Sequence, residues 1–288
     1  MKTILIATDF SKASHNATIY GIKLAQDINA SVLLYNAYTV PTPPAGLALG
    51  ISSYDIRVQM EDKLREEING LQYLNMPLIM PVCDEGNTAD AILSIAQEKK
   101  ADFIVVGMKG NGKGFRKIFG STATALAKKT NIPVIVVPEF AKYKSPRNIV
   151  FATEDIIASE KNLQESLNLI SKLFKSKLNV VSVVKNEDEQ PGVQQNATHH
   201  SDKVAYTFDT SFEYLVDADV KHALNDFIKS HHCNMLVMMP HKYDWVERLF
   251  KKSETKNMIF HSHVPLLVLP EAFFSEPDEV KINNYSAN

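Results

Sequence analysis

Cysteine is nearly missing from this chain. With only Cys83 and Cys233 among 288 residues, no disulfide framework can be drawn, and a reduced, cytoplasmic setting is the expectation. An excess of charge of one sign is missing too. The 31 Lys and Arg against 33 Asp and Glu leave a net charge of -2, which gives no electrostatic case for nucleic acid or an anionic membrane as partner. No apolar run approaches the roughly eighteen residues of a membrane span. In MKTILIATDF, Asp9 interrupts the apolar run before a signal-peptide core can form, so the segment reads as a first strand. A nucleophile elbow and a CxxC pair are also absent. Eight of the nine histidines fall after residue 198, with Cys233 beside His231-His232. No pair of them has the spacing of helical metal ligands with a third partner, so no metal ligand is assigned; whether the His-rich half binds a metal or another ligand stays open.

What is present is ordinary globular composition, 45% hydrophobic and 22% charged, over a length sufficient for two domains. The organising stretch runs from Ala101 to Pro138. Apolar Phe103–Val106 drives into Gly107, Gly110, Gly112 and Gly114, and Gly120-Ser121-Thr122 then opens an Ala/Leu/Lys-rich helical stretch. A second apolar run, Pro133–Pro138, closes the segment. Glycines let main-chain N–H groups approach a ligand with no Cβ in the way. The turn at 120–122 offers the free N–H groups and positive end of a helix N-terminus, so the pair forms a cradle for a phosphate chain. Ser121 and Thr122 can equally be helix caps. Gly107-x4-Gly112-Lys113 imitates a P-loop, but position 114 is glycine where that motif needs Ser or Thr. Lys109, Lys113, Arg116 and Lys117 either neutralise phosphates or form a solvated loop. The absence of acidic residues from Gly107 to Pro138 favours phosphate.

In chain order, Thr3–Thr8 reads as a strand and Lys12–Asn29 as a helix, with Ala17, Tyr20, Gly21, Leu24, Ala25 and Ile28 on one face. Ser31–Ala37 is a second strand, followed by a Pro-rich loop at 41–44. Next comes a helix with Ile56, Met60, Leu64, Ile68 and Leu71 on one face. A third strand at 78–83 and a helix carrying Ala91, Ile92, Ile95 and Ala96 lead into the organising stretch. Such alternation predicts an α/β fold with a doubly wound parallel sheet and flanking helices.

The chain then repeats. Lys2–Thr8 reappears as Arg147–Thr153, offset by 145; Asp102–Val106 matches Asn234–Met238, and Pro133–Pro138 matches Pro265–Pro270, both offset by 132. The second copy therefore lacks thirteen residues, and the polar stretch Lys185–Asp209 is where the loss is expected. Two tandem domains follow, 1–141 and 146–274, with a C-terminal tail at 275–288. Gly107, Gly110 and Gly120 map onto Met239, Lys242 and Lys252, and Asp9 onto Glu154. The second domain is read as a degenerate scaffold copy, with a second site of another kind as the alternative.

In an open parallel sheet, ligands bind beyond the carboxyl ends of the strands where the winding reverses. Thr8-Asp9 and Gly107 would meet there. Asp9 either contacts a ribose hydroxyl or a phosphate-bound metal, or caps the first helix in competition with Ser11.

Gly107-x2-Gly110-x9-Gly120-Ser121, with Asp9 after the first strand and the Pro133–Pro138 strand, resembles the nucleotide signature of the universal stress proteins over nearly the whole chain. The resemblance implies two tandem doubly wound five-stranded sheets of the adenine nucleotide alpha hydrolase-like type. It also implies an adenine nucleotide (ATP, or AMP or ADP) with Mg2+ in the first domain. Thr8 and Asp9 would lie near ribose and phosphates, Ala7 and the backbone near Asn36 at the adenine, and Val106 against the base. Gly107 and Gly110 would pass under the ribose and phosphates, and Gly120, Ser121 and Thr122 would bind phosphates. Ala7 stands where members often have Pro, and Asn36 where they have a small apolar residue. The resemblance further implies that the apolar edges Val134–Val137 and Leu266–Leu269 pair as an intramolecular pseudo-dimer, with a homodimer left open. The expected function is that of an ATP-binding stress-response regulatory module. A slow Mg-dependent ATPase working through Asp9, or an interaction protein independent of nucleotide, are the alternatives.

Overall fold

A computed structural model describes residues 1–40, 52–72, 74–109, 121–153, 161–186, 209–239 and 264–270. The Pro41–Pro44 loop, Gly110, Lys113, Arg116, Lys117, Gly120, Glu154, Lys242, Lys252 and the tail at 275–288 lie outside the described residues. The chain divides into two units, Met1–Tyr143 and Lys144–Asn288.

In the first unit, β1 (Lys2–Ala7), β2 (Ala30–Tyr38), β3 (Ile79–Glu85), β4 (Phe103–Met108) and β5 (Val134–Pro138) pair in the order β3-β2-β1-β4-β5. All four pairings are parallel. A parallel sheet is covered on both faces, so its central strands carry unbroken apolar runs rather than alternation. Ile4, Leu5 and Ile6 of β1, Phe103 to Val106 of β4 and Val134 to Val137 of β5 are accordingly all buried. Winding runs outward from β1 through β2 to β3, then returns to β4 on the other side of β1. The reversal between β1 and β4 opens a crevice at the strands' carboxyl ends.

The first three helices each begin where a polar side chain takes up main-chain donors left without partners. Ser11 caps α1 (Lys12–Asp27), accepting from the Ser14 N–H at 3.3 Å. Ser52 and Asp55 form a reciprocal capping box on α2 (Ser53–Gly70), and Asn87 caps α3 (Thr88–Glu98), accepting from the Ala89 N–H at 3.2 Å. α4 spans Ser121–Lys129. Of the apolar face expected on α2, only Leu64 is buried within the helix, with Leu71 just beyond it, while Ile56, Met60 and Ile68 are half-buried. The helix lies over β2 and the edge strand β3, where the sheet has run out of neighbouring strands to cover it.

In the second unit, β6 (Asn148–Ala152), β7 (Lys177–Val184), β8 (Thr210–Val216), β9 (Met235–Met238) and β10 (Leu266–Val268) pair in the order β10-β9-β6-β7-β8, again all parallel. α5 (Lys161–Phe174) and α6 (Val220–Ser230) are its described helices. Register locates the deletion. Ala7 pairs with Tyr35 and Ala152 with Val181, so Tyr35 and Val181 are equivalent; by the same logic Val82 and Glu213 are equivalent. The shortening thus falls between β7 and β8, in residues 185–209, where the first unit uses residues 39–78. Both units keep the doubly wound α/β architecture expected from the sequence. Cys83 and Cys233 are both buried and free.

Candidate functional site

The first unit holds a cavity of about 350 Å³ in the crevice between β1 and β4. Its floor is the end of β1, with Ala7, Thr8 and Asp9, beside Val106 and Gly107 of β4. Tyr35 and Ala37 of β2 and Ile92 of α3 supply an apolar wall. Three helices present their first turns to the space: Ser11, Ala13 and Ser14 at α1, Thr88 at α3, Thr122 and Ala123 at α4. Each such terminus carries main-chain N–H groups without intrahelical partners and a partial positive charge. Lys109 adds a full positive charge at the rim. The arrangement suits an anionic ligand with a flat apolar part.

Gly107 is bare for a reason that precedes any ligand. A Cβ there would stand 2.5 Å from the Ala13 carbonyl oxygen and 2.7 Å from the Ser14 nitrogen. The glycine therefore lets the first turn of α1 settle directly on β4, bringing that helix's N-terminus to the cavity.

The turn joining β1 to α1 is held by its own polar groups. Thr8 Oγ1 accepts from the Phe10 N–H at 3.0 Å, and Asp9 Oδ1 accepts from the Ser11 N–H at 3.0 Å. Phe10 has φ 61, a left-handed conformation that is costly for a bulky residue and persists only where neighbours impose it. Since Ser11 occupies the cap of α1, Asp9 is left to face the cavity. Burial pushes the Asp9 carboxyl up, but hydrogen bonding by Ser11 and Ser14 and the charge of Lys109 outweigh it, holding it below the ordinary carboxylate range. It is ionised at neutral pH. Burial, the charge of Asp84 and a hydrogen bond to that carboxylate push the Tyr35 hydroxyl up, so Tyr35 stays a neutral wall.

The sequence-derived candidates are thus distributed as follows. Ala7, Thr8, Asp9, Val106, Gly107 and Thr122 come together around the cavity. Ser121 opens α4 beside Thr122. Asn36 is buried and does not line the cavity; its amide donates to the Thr8 carbonyl at 2.8 Å, while Tyr35 and Ala37 on either side face the space. Tyr35, Ala37, Thr88 and Ile92 were not singled out from sequence. Thr88 had a usable signal: a residue opening a helix just after a strand of a doubly wound sheet stands at the ligand-binding edge.

A sequence model of the universal stress protein family matches residues 1–138 and, separately, 146–270. The chain belongs to the universal stress protein family. Over 140 residues it is 31% identical to a universal stress protein of Methanocaldococcus jannaschii, an alignment spanning 47% of this chain and 81% of that one. It is 28% identical over 159 residues to the stress response protein NhaX of Bacillus subtilis, spanning 46% of this chain and 96% of that one. Among solved structures, a universal stress protein from Archaeoglobus fulgidus matches with a TM-score of 0.68 at 15% identity, over 93% of this chain and 98% of that one. At that identity the likeness shows the shared fold. Membership accounts for both halves as copies of one domain type. Among the described residues of this universal stress protein, no helix is long and apolar enough to cross a membrane.

The second copy keeps the frame of the site. The Thr153 N–H donates to the Val181 carbonyl at 3.0 Å, as the Thr8 N–H does to Tyr35 at 2.8 Å. Where the first unit has Gly107, however, the second has Met239, which is buried and accepts from Ser166 Oγ through its sulfur at 3.4 Å. A side chain fills the position that the first unit leaves bare.

Proposed function

We propose that this universal stress protein binds an adenine nucleotide, ATP with Mg2+ in the first instance, in the first unit only, and acts as a nucleotide-dependent regulatory module. The reading is carried by one observation: three helix N-termini and Lys109 converge on a cavity walled by Tyr35, Ala37, Ile92 and Val106. The base would lie against the apolar wall and the phosphates against the N–H groups, which is how such termini take anions. Gly120 and Ser121 extend that cradle by the sequence reading. Asp9, ionised and at the mouth, fits a ribose hydroxyl or a phosphate-bound magnesium. That cation takes one or two protein carboxylates and fills its other positions with phosphate oxygens and water. When bound, the ion would screen the phosphate charge; Asp9 and Thr8 would orient it.

The second unit's Met239 and the Lys242 and Lys252 of its sequence argue against an equivalent grip there. Calorimetric titration of the full chain with ATP and magnesium tests the reading. Ala37→Trp places an indole at the 350 Å³ cavity from a half-buried position, and should weaken binding by at least about tenfold while leaving the unfolding transition nearly in place. Unchanged affinity in that variant would remove the cavity from consideration.

A further inference from the structure

Helix α2 contributes no described side chain to the cavity, and most of its surface is solvated. One of its acidic residues nevertheless turns inward. The Glu67 side chain is 6% exposed, and its Oε2 accepts from Thr8 Oγ1 at 3.1 Å. Among the described residues its other oxygen has no hydrogen-bond donor; His15 Nδ1 of α1 lies 3.4 Å away without hydrogen-bond geometry. A buried carboxylate so sparsely satisfied is costly, and packing α2 against the sheet does not require it. Its hydrogen bond among the described residues goes to one that lines the cavity.

From Thr8 the contacts continue toward Asp9. Thr8 Oγ1 lies 3.2 Å from Ser14 Oγ, and Ser14 Oγ accepts from the Asp9 N–H at 3.3 Å. Thr8 has one hydroxyl proton and two neighbouring acceptors, Glu67 and Ser14. A carboxylate only accepts, so Glu67 fixes the direction of that proton, while Ser14 Oγ donates to the Ser11 carbonyl at 3.0 Å and accepts from the Asp9 N–H. The same hydroxyl holds the Phe10 N–H and so the left-handed turn. Lys63, one turn before Glu67 on α2, places its ammonium 5.7 Å from the centre of the Phe10 ring, a second tie between the helix and this turn.

We propose that Glu67 is a positioning residue of the cavity: its carboxylate fixes the Thr8 hydroxyl and thereby the turn that presents Asp9, making α2 part of the nucleotide site. This rests on the nucleotide reading for its functional consequence, while the geometry of the turn stands apart from it. Residues 39–78, which carry α2, are also the span that the second unit replaces with the shorter 185–209. That unit keeps Thr153 at the position of Thr8 and joins its second and third strands by the shorter span.

The test uses the full chain with Glu67→Ala, Glu67→Gln and Thr8→Val, read by ATP titration and by amide hydrogen exchange of residues 8–14 without nucleotide. Glu67→Gln keeps an acceptor oxygen for Thr8 and should stay within about twofold of the parent affinity, whereas Glu67→Ala should lose about tenfold, the scale on which supporting partners of a site act. Glu67→Ala should also speed exchange at Phe10 and Ser11, and add nothing further in a Thr8→Val background. A merely structural Glu67 would shift stability but would show equal effects with and without the Thr8 hydroxyl, and that result overturns the proposal. So does unchanged exchange in residues 8–14. If the parent chain binds no nucleotide, the nucleotide reading falls, and the exchange arm still decides whether Glu67 holds the turn. Should Glu67→Ala fail to fold, Glu67→Met removes the acceptor at nearly constant volume and leaves the Thr8 hydroxyl on the Phe10 N–H; faster exchange at Phe10 and Ser11 is then expected, and unchanged exchange overturns the proposal.

Discussion

Gly107→Ala should destabilise the first unit by about 3 kcal/mol and weaken nucleotide binding in the same variant, as overpacking against an immovable neighbour does. The added methyl would meet main chain, the Ala13 carbonyl at 2.5 Å and the Ser14 nitrogen at 2.7 Å. No rotamer change can relieve a clash with backbone. Helix α1 must lift from β4, and the turn carrying Asp9 and Ser11 lifts with it. Gly21→Ala is the comparison. There the methyl would meet a side chain rather than main chain, Ile6 Cδ1 at 2.5 Å and Cγ1 at 2.9 Å, so the buried Ile6 must shift but the backbone need not. Alanine inside a helix also regains up to about 1 kcal/mol over glycine. Chemical denaturation of both variants should therefore show a larger loss at 107 than at 21. Equal effects would mean that α1 does not sit on Gly107 as described.

Met239→Gly should destabilise the second unit by about 3–5 kcal/mol, the range for deleting a large buried side chain without collapse of the space, plus the backbone freedom glycine brings. Met239 is 4% exposed and its sulfur takes a hydrogen bond from Ser166 of α5. Removing the side chain opens a void beneath that helix. Although the change restores the residue type of the first unit, nucleotide stoichiometry should not rise, because Lys242 and Lys252 still stand where the first unit has Gly110 and Gly120. Denaturation followed by a probe in the second unit checks the first statement, and nucleotide counting checks the second.

The sheet was legible in the sequence because parallel strands buried on both faces leave uninterrupted runs. Ile4-Leu5-Ile6 and Phe103–Val106 could be placed from composition alone, and the internal repeat gave the second sheet. The glycine at 107 was legible as well, though its nearest constraint is the first turn of α1 rather than a guest. Apart from Val106, the apolar walls of the cavity were not. Tyr35 and Ile92 are apolar residues in a strand and a helix, and nothing in the pattern separates a side chain facing a cavity from one facing the core. Asn36 was named only through the resemblance, which puts the backbone near it at the adenine edge, and strand alternation turns its amide to the Thr8 carbonyl and its neighbours to the cavity. Glu67 was hidden among Glu61, Asp62 and Glu66 on a helix that reads as solvated. Its spacing was the available signal: three residues after buried Leu64 and four before buried Leu71, it lies on the inward face.

Whether one unit grips a nucleotide and the other does not is tested most directly by diffraction from crystals grown with ATP and magnesium. An adenylate is expected in the first unit, its base between Val106 and Ile92 and its phosphates at the start of α4 near Thr122, with Asp9 at the ribose or the metal. Density for a nucleotide beside Met239 alone, or residues 107–122 packed so that the cavity admits no ligand, would contradict it.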